Sequence, residues 1–269
     1  MNPLEQTSST LDGQQPAAVR TVPDSRQSPL LAFDDVSLTY RGRKQSTDAL
    51  SGFTMSVACD ERVAVVGPSG CGKSSLLALA AGLLAPTSGI VSVGADVALM
   101  PQRDLLVPWR SALRNAALAL EAQGVNRAEA MARAKPLFER FGLASFEHAH
   151  TWELSGGMRQ RVAFLRTILT GRPVLALDEP FGALDSITRA EMQEWLEGAL
   201  REEPRTLLLV THDVEEALTL ADRVVVVTPR AGRVATEIAV ERPRDAARSD
   251  WVTSLEFAGL KAEALEALK

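Results

Sequence analysis

The most specific chemical pattern in the sequence is a glycine-rich octapeptide at residues 67–74. It reads Gly-Pro-Ser-Gly-Cys-Gly-Lys-Ser and fits the spacing G-x-x-x-x-G-K-[ST] of a phosphate-binding loop, or Walker A motif. The glycines allow consecutive backbone N–H groups to face phosphate oxygens, Lys73 adds a full positive charge, and Ser74 offers a hydroxyl to Mg²⁺. We expect the nucleotide to contact Gly67, Pro68, Ser69, Gly70, Cys71, Gly72, Lys73, Ser74 and Ser75.

The segments on either side of this loop are those that the chemistry needs. Val63–Val66 is an apolar run that predicts a short buried strand, and Ser74–Ala81 predicts a buried helix. The helix would direct its positive N-terminal end at the phosphates. A glycine-rich turn without a ligand is the alternative, and the strand–loop–helix context argues against it. Cys71 is interpreted as a loop residue with no redox role.

Two adjacent carboxylates end a second apolar segment. Residues 174–180 read Val-Leu-Ala-Leu-Asp-Glu-Pro, which predicts a strand with both acids at its carboxyl end. Asp178 would lie near the phosphate-binding loop, where a carboxylate can help to hold Mg²⁺. Glu179 would accept a proton from the attacking water or orient it. An apolar strand that ends in two acids is common by itself, so its pairing with the loop carries the prediction.

A second anion-binding element is predicted at residues 154–161, which read Leu-Ser-Gly-Gly-Met-Arg-Gln-Arg. A serine at a helix start, two glycines and a basic turn offer free N–H groups to an anion. One chain does not need two such elements for one triphosphate. The segment matches the LSGGQ-like signature, and with it the chain resembles the ATP-binding subunits of ABC transporters.

The resemblance extends over about Leu31 to Arg244 and implies ATP and Mg²⁺ as cofactors. It implies an ATP-dependent, head-to-tail homodimer in which Ser155, Gly156 and Gly157 of one subunit close over the γ-phosphate held by the other. The metal-binding residues that it implies are Ser74, Gln102 and Asp178. The catalytic residues that it implies are Glu179, His212 and Gln102.

Four single positions match the family in order. The resemblance implies that Tyr40 stacks on adenine, that Gln102 senses Mg²⁺ and the membrane partner, that Asp185 in the D-loop contacts the opposite subunit, and that His212 is the switch histidine that contacts the γ-phosphate. Each has a plainer alternative: Tyr40 as a core aromatic, Gln102 as a surface loop residue and His212 as a core histidine. His148 and His150 have metal-like spacing, but we interpret them as solvated.

The coarse pattern predicts an α/β fold. Strands are predicted at Leu31–Phe33, Val36–Tyr40, Phe53–Val57, Val63–Val66, Ile90–Val93, Val97–Met100, Val174–Leu177, Leu207–Thr211 and Val224–Thr228. Ser111–Thr170 predicts three or four helices, including Arg127–Phe141 and Gly156–Thr170, and further helices are predicted at Ile187–Glu202 and Val214–Ala221. This alternation favours a mostly parallel sheet with helices on both faces, interrupted by a helical insertion. The resemblance implies a P-loop NTPase ABC cassette with an added antiparallel β subdomain.

The domain boundaries follow from composition and pattern. Residues 1–29 are polar and aperiodic, which predicts a disordered tail, with a regulatory peptide as the alternative. Residues 30–248 are predicted to form the ATPase domain, with its helical subdomain at about 103–171. Residues 249–269 predict one or two amphipathic helices, for which packing on the core is favoured over binding a partner.

Composition excludes several other classes of protein. The 269 residues carry a net charge of -5, so no basic field favours nucleic acid as a partner. Two cysteines, Cys59 and Cys71, do not make a disulfide framework. No apolar run approaches the ~20 residues that span a bilayer, and the first residues lack the pattern of a secretory signal. The resemblance therefore implies a peripheral protein at the cytoplasmic face of the membrane, attached through a partner.

Finer features resemble the nitrate, sulfonate and taurine branch of importers, which includes systems for thiamine-pyrimidine precursors. These features are the segments at residues 103–110, 180–189 and 211–217. In this branch, the region from Leu105 to Arg114 lies near the groove for a permease, so Trp109 is a candidate apolar contact or, alternatively, an internal packing residue. The stretch between Gly89 and Gln102 is shorter than in most of the branch, and Cys59-Asp-Glu replaces the usual Gly-Glu turn.

The resemblance thus implies an ATPase that drives import of a small solute through a separate permease, supplied indirectly by an extracytoplasmic solute-binding protein. An exporter subunit is one alternative. A soluble ABC protein acting on ribosomes or DNA is another, but such proteins usually carry two cassettes or a long coiled-coil insertion. A catalytically silent cassette is disfavoured because Glu179 and His212 are both present.

Overall fold

The computed structural model describes residues 29–42, 46–229, 231–242 and 248–269. The predicted disordered segment 1–29 therefore lies, except for its last residue, outside the described residues. The strands are β1 Leu31–Arg41, β2 Ser46–Val57, β3 Arg62–Val66, β4 Ser88–Val93, β5 Val97–Met100, β6 Val174–Asp178, β7 Thr206–Thr211, β8 Arg223–Val227 and β9 Val234–Ala239. The helices are α1 Lys73–Ala80, α2 Ala112–Ala122, α3 Arg127–Arg140, α4 Gly156–Ile168, α5 Ser186–Glu202, α6 Val214–Leu220, α7 Arg248–Val252 and α8 Leu255–Ala267.

A six-stranded sheet in the order β5-β6-β7-β3-β8-β9 forms the centre of the fold. The first five strands are parallel and β9 joins the edge antiparallel, so the predicted mostly parallel sheet is confirmed. The sequence did not predict β9. Only one of its six side chains is fully buried, as is usual for an edge strand, and the apolar signal is correspondingly weak.

The two faces of this sheet bury two different cores. Alternate residues of a strand point to opposite faces. Ala64 and Val66 accordingly belong to a cluster with α2 to α6 and the C-terminal helices, whereas Val63 and Val65 belong to a cluster with α1 and the antiparallel strands. Helices on both faces, as the sequence predicts, follow directly from this alternation of large apolar residues.

A separate three-stranded antiparallel sheet has the order β2-β1-β4. The sequence predicted two strands where the structure has the single strand β1, and this prediction was wrong. Asp35 interrupts the apolar alternation with a left-handed φ of 48°, and the register with β2 shifts between Phe33 and Val36. Pairing nevertheless continues from Leu31 to Arg41, because a bulge redirects the strand without ending it.

The helical insertion contains α2, α3, a short 3₁₀ helix at Thr151–Glu153 and α4, as predicted for residues 111–170. Serine and asparagine side chains cap the helix starts, with Ser111 before α2 and Asn126 before α3. The C-terminal helices bury Trp251, Phe257 and Ala264 in the core that covers one face of the sheet, so the predicted packing on the core is confirmed. Within the described ranges, no helix is both long and apolar enough to cross a bilayer.

Candidate functional site

Four loops meet at the carboxyl edge of the parallel sheet. They follow β5, β6, β7 and β3, which are consecutive neighbours in the sheet. These loops carry Gln102, Glu179, His212 and the glycine-rich loop, respectively. Ligands of open α/β sheets bind at this edge, where side chains from adjacent strands come within reach of one another.

The glycine-rich loop turns by means of left-handed glycines. Gly70 and Gly72 have φ values of 83° and 94°, a region that residues with a Cβ avoid. A Cβ at Gly72 would also lie 2.3 Å from the Ala49 carbonyl oxygen, so only glycine fits there. Helix α1 begins immediately afterwards at Lys73, one residue before the predicted start. Its free N–H groups therefore face the loop, which is the geometry of an anion-binding cradle.

Lys73 is folded back into the centre of this cradle. Its Nζ donates to the carbonyl oxygens of Gly67 at 2.6 Å and Pro68 at 2.9 Å, and it lies 3.8 Å from Cys71 Sγ. The side chain is buried. Because these partners are neutral, the ammonium keeps its positive charge available for a phosphate that enters the loop.

Asp178 ends β6 as a buried carboxylate, 6% exposed. Burial raises its pKa above the ordinary value, and a hydrogen bond from Ser74 and the charge of Lys73 oppose that rise. Ser74 and Asp178 are therefore close together at the mouth of the cradle. A hydroxyl and a carboxylate are oxygen ligands of the kind that Mg²⁺ takes beside nucleotide phosphates, so these residues fit the ion.

The Glu179 side chain contacts a side chain from the loop after β5 and another from the loop after β7. Its Oε2 accepts a hydrogen bond from Gln102 Nε2 at 2.8 Å, and its Oε1 lies 3.0 Å from His212 Nδ1. Glu179 has a left-handed φ of 46°, which is rare for a residue with a side chain and is typical of functional sites. The predicted catalytic residues thus lie in one hydrogen-bonded cluster, and Gln102 and His212 are neither isolated surface residues nor core residues.

The backbone around His212 is held by a buried acid that the sequence analysis missed. Glu216 Oε2 accepts from Thr211 Oγ1 at 2.9 Å, and the same hydroxyl oxygen accepts from the Asp213 N–H at 3.0 Å. Burial, reinforced by the charge of Asp213, raises the pKa of Glu216 to about 7 despite the hydrogen bond from Thr211. The sequence did not indicate that Glu216 is buried, because it is the second of two consecutive glutamates and the first, Glu215, is exposed.

Tyr40 is 45% exposed near the end of β1, so the alternative of a core aromatic is wrong. Its hydroxyl lies 3.0 Å from Ser75 Oγ on α1. This contact places an aromatic face beside the helix that follows the phosphate cradle. A planar group bound next to the phosphates can stack on that ring.

Ser155, Gly156 and Gly157 form a separate feature of the surface. Ser155 caps α4 by accepting from the Met158 N–H at 3.2 Å, and Ser155 and Gly156 are exposed. Among the hydrogen bonds of the described ranges, none joins them to the glycine-rich loop. Asp185 likewise caps α5, where the backbone N–H of Thr188 lowers its pKa. The structure therefore brings together only part of the predicted site residues within one chain.

Comparison with known proteins decides the family. Residues 50–182 match the ABC transporter family. The chain is 44% identical over 213 residues to the formylaminopyrimidine import ATP-binding protein of Halalkalibacterium halodurans, covering 78% of this chain and 84% of the relative. It is 41% identical over 233 residues to the taurine import ATP-binding protein of Burkholderia pseudomallei, covering 84% and 90%. The chain belongs to the ABC transporter ATP-binding family.

Solved structures of such cassettes agree with the fold. A dimeric, post-hydrolysis ATP-binding cassette bound to ADP and Pi superposes with a TM-score of 0.73 at 26% identity, covering 79% of this chain and all of that one. The chain is therefore an ABC cassette that binds and hydrolyses ATP. The predicted α/β class and the predicted family are both confirmed.

The ABC cassette exposes three large apolar side chains between the loop after β5 and the start of α4. Leu105, Trp109 and Trp152 are 57%, 77% and 67% exposed, so Trp109 is not an internal packing residue. A β-bridge between Ser111 and His150 joins the segments that carry the two tryptophans. The Trp152 ring stacks on His150 with centroids 4.5 Å apart, which corrects the interpretation of His150 as solvated. The sequence analysis missed Trp152, which has no motif of its own.

Proposed function

We propose that this ABC cassette is the Mg²⁺-dependent ATPase subunit of an importer and drives uptake of a small solute through a separate permease. The observation that carries the proposal is the cluster of Glu179, Gln102 and His212 at the same sheet edge as the Lys73 cradle. A hydrolytic site needs a base, a switch that detects the γ-phosphate and a phosphate-binding charge, and Glu179, His212 and Lys73 at this edge are suited to these three parts.

Each side chain has a separate part in the reaction. Lys73 and the loop N–H groups hold the phosphates, and Ser74, Asp178 and Gln102 hold Mg²⁺, which when bound neutralises charge on the phosphate oxygens. Glu179 orients the attacking water or takes its proton. His212 detects the γ-phosphate, and Tyr40 stacks on adenine. The remaining loop contacts come from Gly67, Pro68, Ser69, Gly70, Cys71, Gly72 and Ser75.

The separate position of the signature residues supports a two-chain site. Ser155, Gly156 and Gly157 form a helix start of the kind that suits an anion, and within the described residues no hydrogen bond joins it to the glycine-rich loop of the same chain. In a head-to-tail homodimer, this helix start closes over the γ-phosphate held by the other subunit, and Asp185 faces the same partner. Bound ATP then supplies much of the binding energy of the dimer, and the two subunits separate after the ATP is hydrolysed.

The exposed Leu105, Trp109 and Trp152 support a docking site for a cytoplasmic segment of the permease. Aromatic residues with large exposed area are typical anchors of protein interfaces. Docking there would hold the ABC cassette at the cytoplasmic face of the membrane and connect it to the loop of Gln102. An extracytoplasmic solute-binding protein would deliver cargo to the permease, and nucleic acid is not a partner.

The relatives support the direction of transport and the class of cargo. Their names specify import of taurine and of formylaminopyrimidine, so we propose cargo of the sulfonate or pyrimidine-precursor type. We also propose residues 30–248 as the ATPase domain, with a helical subdomain at about 103–171, a disordered tail at 1–29 and a helical extension at 249–269.

The test is affinity purification of the full chain from its native membranes under mild conditions. We expect a multi-span permease together with a secreted solute-binding protein, whose ligand identifies the cargo. A permease without a binding protein would favour the exporter alternative. Ribosomal or DNA-bound partners without a membrane protein would contradict the transport proposal and leave the ATPase site intact.

A further inference from the structure

The C-terminal helices contact α5 and α6, the helices that follow Asp185 and His212. Helix α5 begins directly after Asp185, and α6 begins two residues after His212. Trp251 and Lys261 contact α6, and Arg248 contacts α5. The proposed function assigns no role to these C-terminal helices.

The position of the His212 ring depends on the start of α6. The imidazole is 59% exposed, so few side chains surround it. Its two neighbours in the chain are fixed instead: Thr211 Oγ1 accepts from the Asp213 N–H, and Asp213 Oδ1 accepts from the Glu215 N–H at 2.9 Å. A displacement of α6 would therefore move the His212 ring relative to Glu179.

The carbonyl groups at the C-terminal end of α6 are hydrogen-bonded by residues that follow the central sheet in the chain. The last carbonyl groups of a helix have no partner within it. Trp251 Nε1 donates to the Leu218 carbonyl oxygen at 3.0 Å in a buried position, and Arg242 Nη1 donates to that of Thr219 at 3.2 Å. Trp251 is itself held edge-on against Phe257, with ring centroids 5.7 Å apart. The C-terminal segment thus caps α6 from outside the helix.

Ion pairs and hydrogen bonds connect the same helices laterally. Lys261 of α8 pairs with Glu215 in the first turn of α6. Arg248 Nη2 donates to the buried Gln193 Oε1 of α5 at 2.6 Å. On the side of the nucleotide site, Arg189 of α5 lies 3.4 Å from Asp213 Oδ2. Helices α5 and α6 are therefore held both at their start and along their length.

We propose that the C-terminal extension positions the switch histidine: Trp251 and Lys261 hold α6 where His212 reaches Glu179. This inference rests on the proposed part of His212 in hydrolysis. Trp251 and Lys261 are positioning residues, since neither side chain lies at the nucleotide site. The extension should set the rate of the hydrolytic step and leave ATP affinity unchanged, because the phosphate cradle is carried by β3 and α1.

Two substitutions in the full-length chain test this proposal. Trp251→Phe keeps an aromatic ring, although a smaller one, and removes the N–H donor to the Leu218 carbonyl oxygen. Lys261→Met keeps the length of the side chain and removes the pair with Glu215. Lys269→Met is the matched control, because Lys269 lies just after α8 and pairs with Glu266 of α8 and not with α6. His212→Ala provides the reference for complete loss of the switch.

Three readouts separate positioning from simple stability: kcat at saturating ATP, ATP affinity, and the NMR chemical shift of the His212 ring. The chain has only three histidines, so the His212 signal can be assigned, and those of His148 and His150 serve as internal references. We expect Trp251→Phe to lower kcat about 3- to 30-fold with ATP affinity within about 2-fold, because misplaced catalytic groups affect turnover more than ground-state binding. Lys261→Met should act in the same direction but less, and both should move the His212 signal alone.

Lower thermal stability of Trp251→Phe with unchanged kcat and an unchanged His212 signal would overturn the proposal. If Trp251→Phe does not fold, Lys261→Met carries the same test, and no difference from Lys269→Met would overturn the proposal equally. Unchanged turnover in His212→Ala would instead remove His212 from the mechanism and so refute that part of the proposed function. Loss of turnover in His212→Ala with normal turnover in both extension variants would refute only the positioning proposal.

Discussion

Glu179 Oε1 lies 3.0 Å from Nδ1 of His212, across the two neighbouring strands β6 and β7. The other oxygen of the same carboxylate accepts from Gln102, which follows the strand on the far side. The carboxylate is therefore fixed from both sides by side chains of adjacent loops. In the proposed mechanism, a carboxylate held in this way is oriented before the attacking water arrives, which would lower the cost of forming the transition state.

Glu179→Gln should abolish turnover and leave ATP binding intact. The amide keeps the size and can keep both hydrogen bonds, but it cannot take a proton. Loss of a general base typically costs about 10²- to 10⁴-fold in rate. The variant should also accumulate as an ATP-bound dimer, measured by size-exclusion chromatography with and without ATP. Glu194→Gln, on the exposed side of α5, is the control. Sustained turnover in Glu179→Gln would show that another group is the base.

Lys73→Ala should remove tight ATP binding without unfolding the chain. The charge-assisted hydrogen bonds of an ammonium are worth roughly 1.5–3 kcal/mol each, and about 1.4 kcal/mol corresponds to tenfold in affinity. We therefore expect titration calorimetry to give a dissociation constant for ATP that is roughly 10- to 100-fold larger. Lys135→Ala, at an exposed position of α3, should bind as the unchanged protein does. Equal affinities of the two variants would exclude Lys73 from the site.

Ser155→Arg should spare ATP binding by the monomer and prevent closure of the dimer. A long cation at the start of α4 blocks the space in which the partner's γ-phosphate is expected, and it faces the positive end of the helix dipole. Analytical ultracentrifugation of Ser155→Arg combined with Glu179→Gln, with and without ATP, measures whether the dimer forms. Asn126→Arg makes the same change at the cap of α3. If Ser155→Arg dimerises with ATP as Asn126→Arg does, the two-chain site is wrong.

Glu216 should make the fold less stable as the pH rises from about 4.5 to about 7. The ordinary pKa of the group is 4.5 and burial raises it to about 7 in the folded protein. Between these values the folded chain keeps a proton that the unfolded chain has lost, so the free energy of unfolding falls with rising pH. At about 1.36 kcal/mol for each pKa unit, the change is at most about 3 kcal/mol, and it is complete above pH 7.

Denaturant titrations at pH 5, 6, 7 and 8 measure this dependence. Glu216→Gln removes the ionisation and keeps an oxygen for the Thr211 hydroxyl, so its stability should vary less over that range. The titratable groups that act on Glu216 are Asp213, Arg189 and His212, and they are unchanged in the variant. Glu256→Gln, at an exposed position of α8, is the control. Parallel pH profiles for Glu216→Gln and the unchanged protein would contradict the assignment.

The sequence predicted the positions of the motif residues well, because the motifs fix where strands end. Loops that follow parallel strands open at the same edge of a sheet, so the strand pattern predicted that Lys73, Asp178 and Glu179 lie at one edge. The pattern did not predict that β7 lies between β3 and β6. The functions assigned to these residues stay predictions until they are measured. What the sequence could not supply were contacts that depend on packing between distant segments, such as Trp251 with Leu218.

The missed elements have physical reasons of the same kind. Edge strand β9 is too weakly apolar for its pattern to be recognised, and the bulge at Asp35 imitates a strand boundary. Glu216 has the same residue type as Glu215 beside it, yet one is buried and the other exposed, because α6 turns one face to the sheet. Trp152 is an isolated aromatic whose exposure is decided by the tertiary fold.

The left-handed backbone of Glu179 implies that stability of the fold and hydrolytic activity make opposite demands on this position. A non-glycine residue held at a φ of 46° costs about 1–3 kcal/mol, a penalty that glycine largely avoids. Replacing Glu179 by glycine should therefore relieve that strain and offset part of the loss of the side chain's two hydrogen bonds, while abolishing hydrolysis. The acid at this position therefore goes together with a locally unfavourable conformation, and variants selected only for thermal resistance should tend to lose catalysis here first.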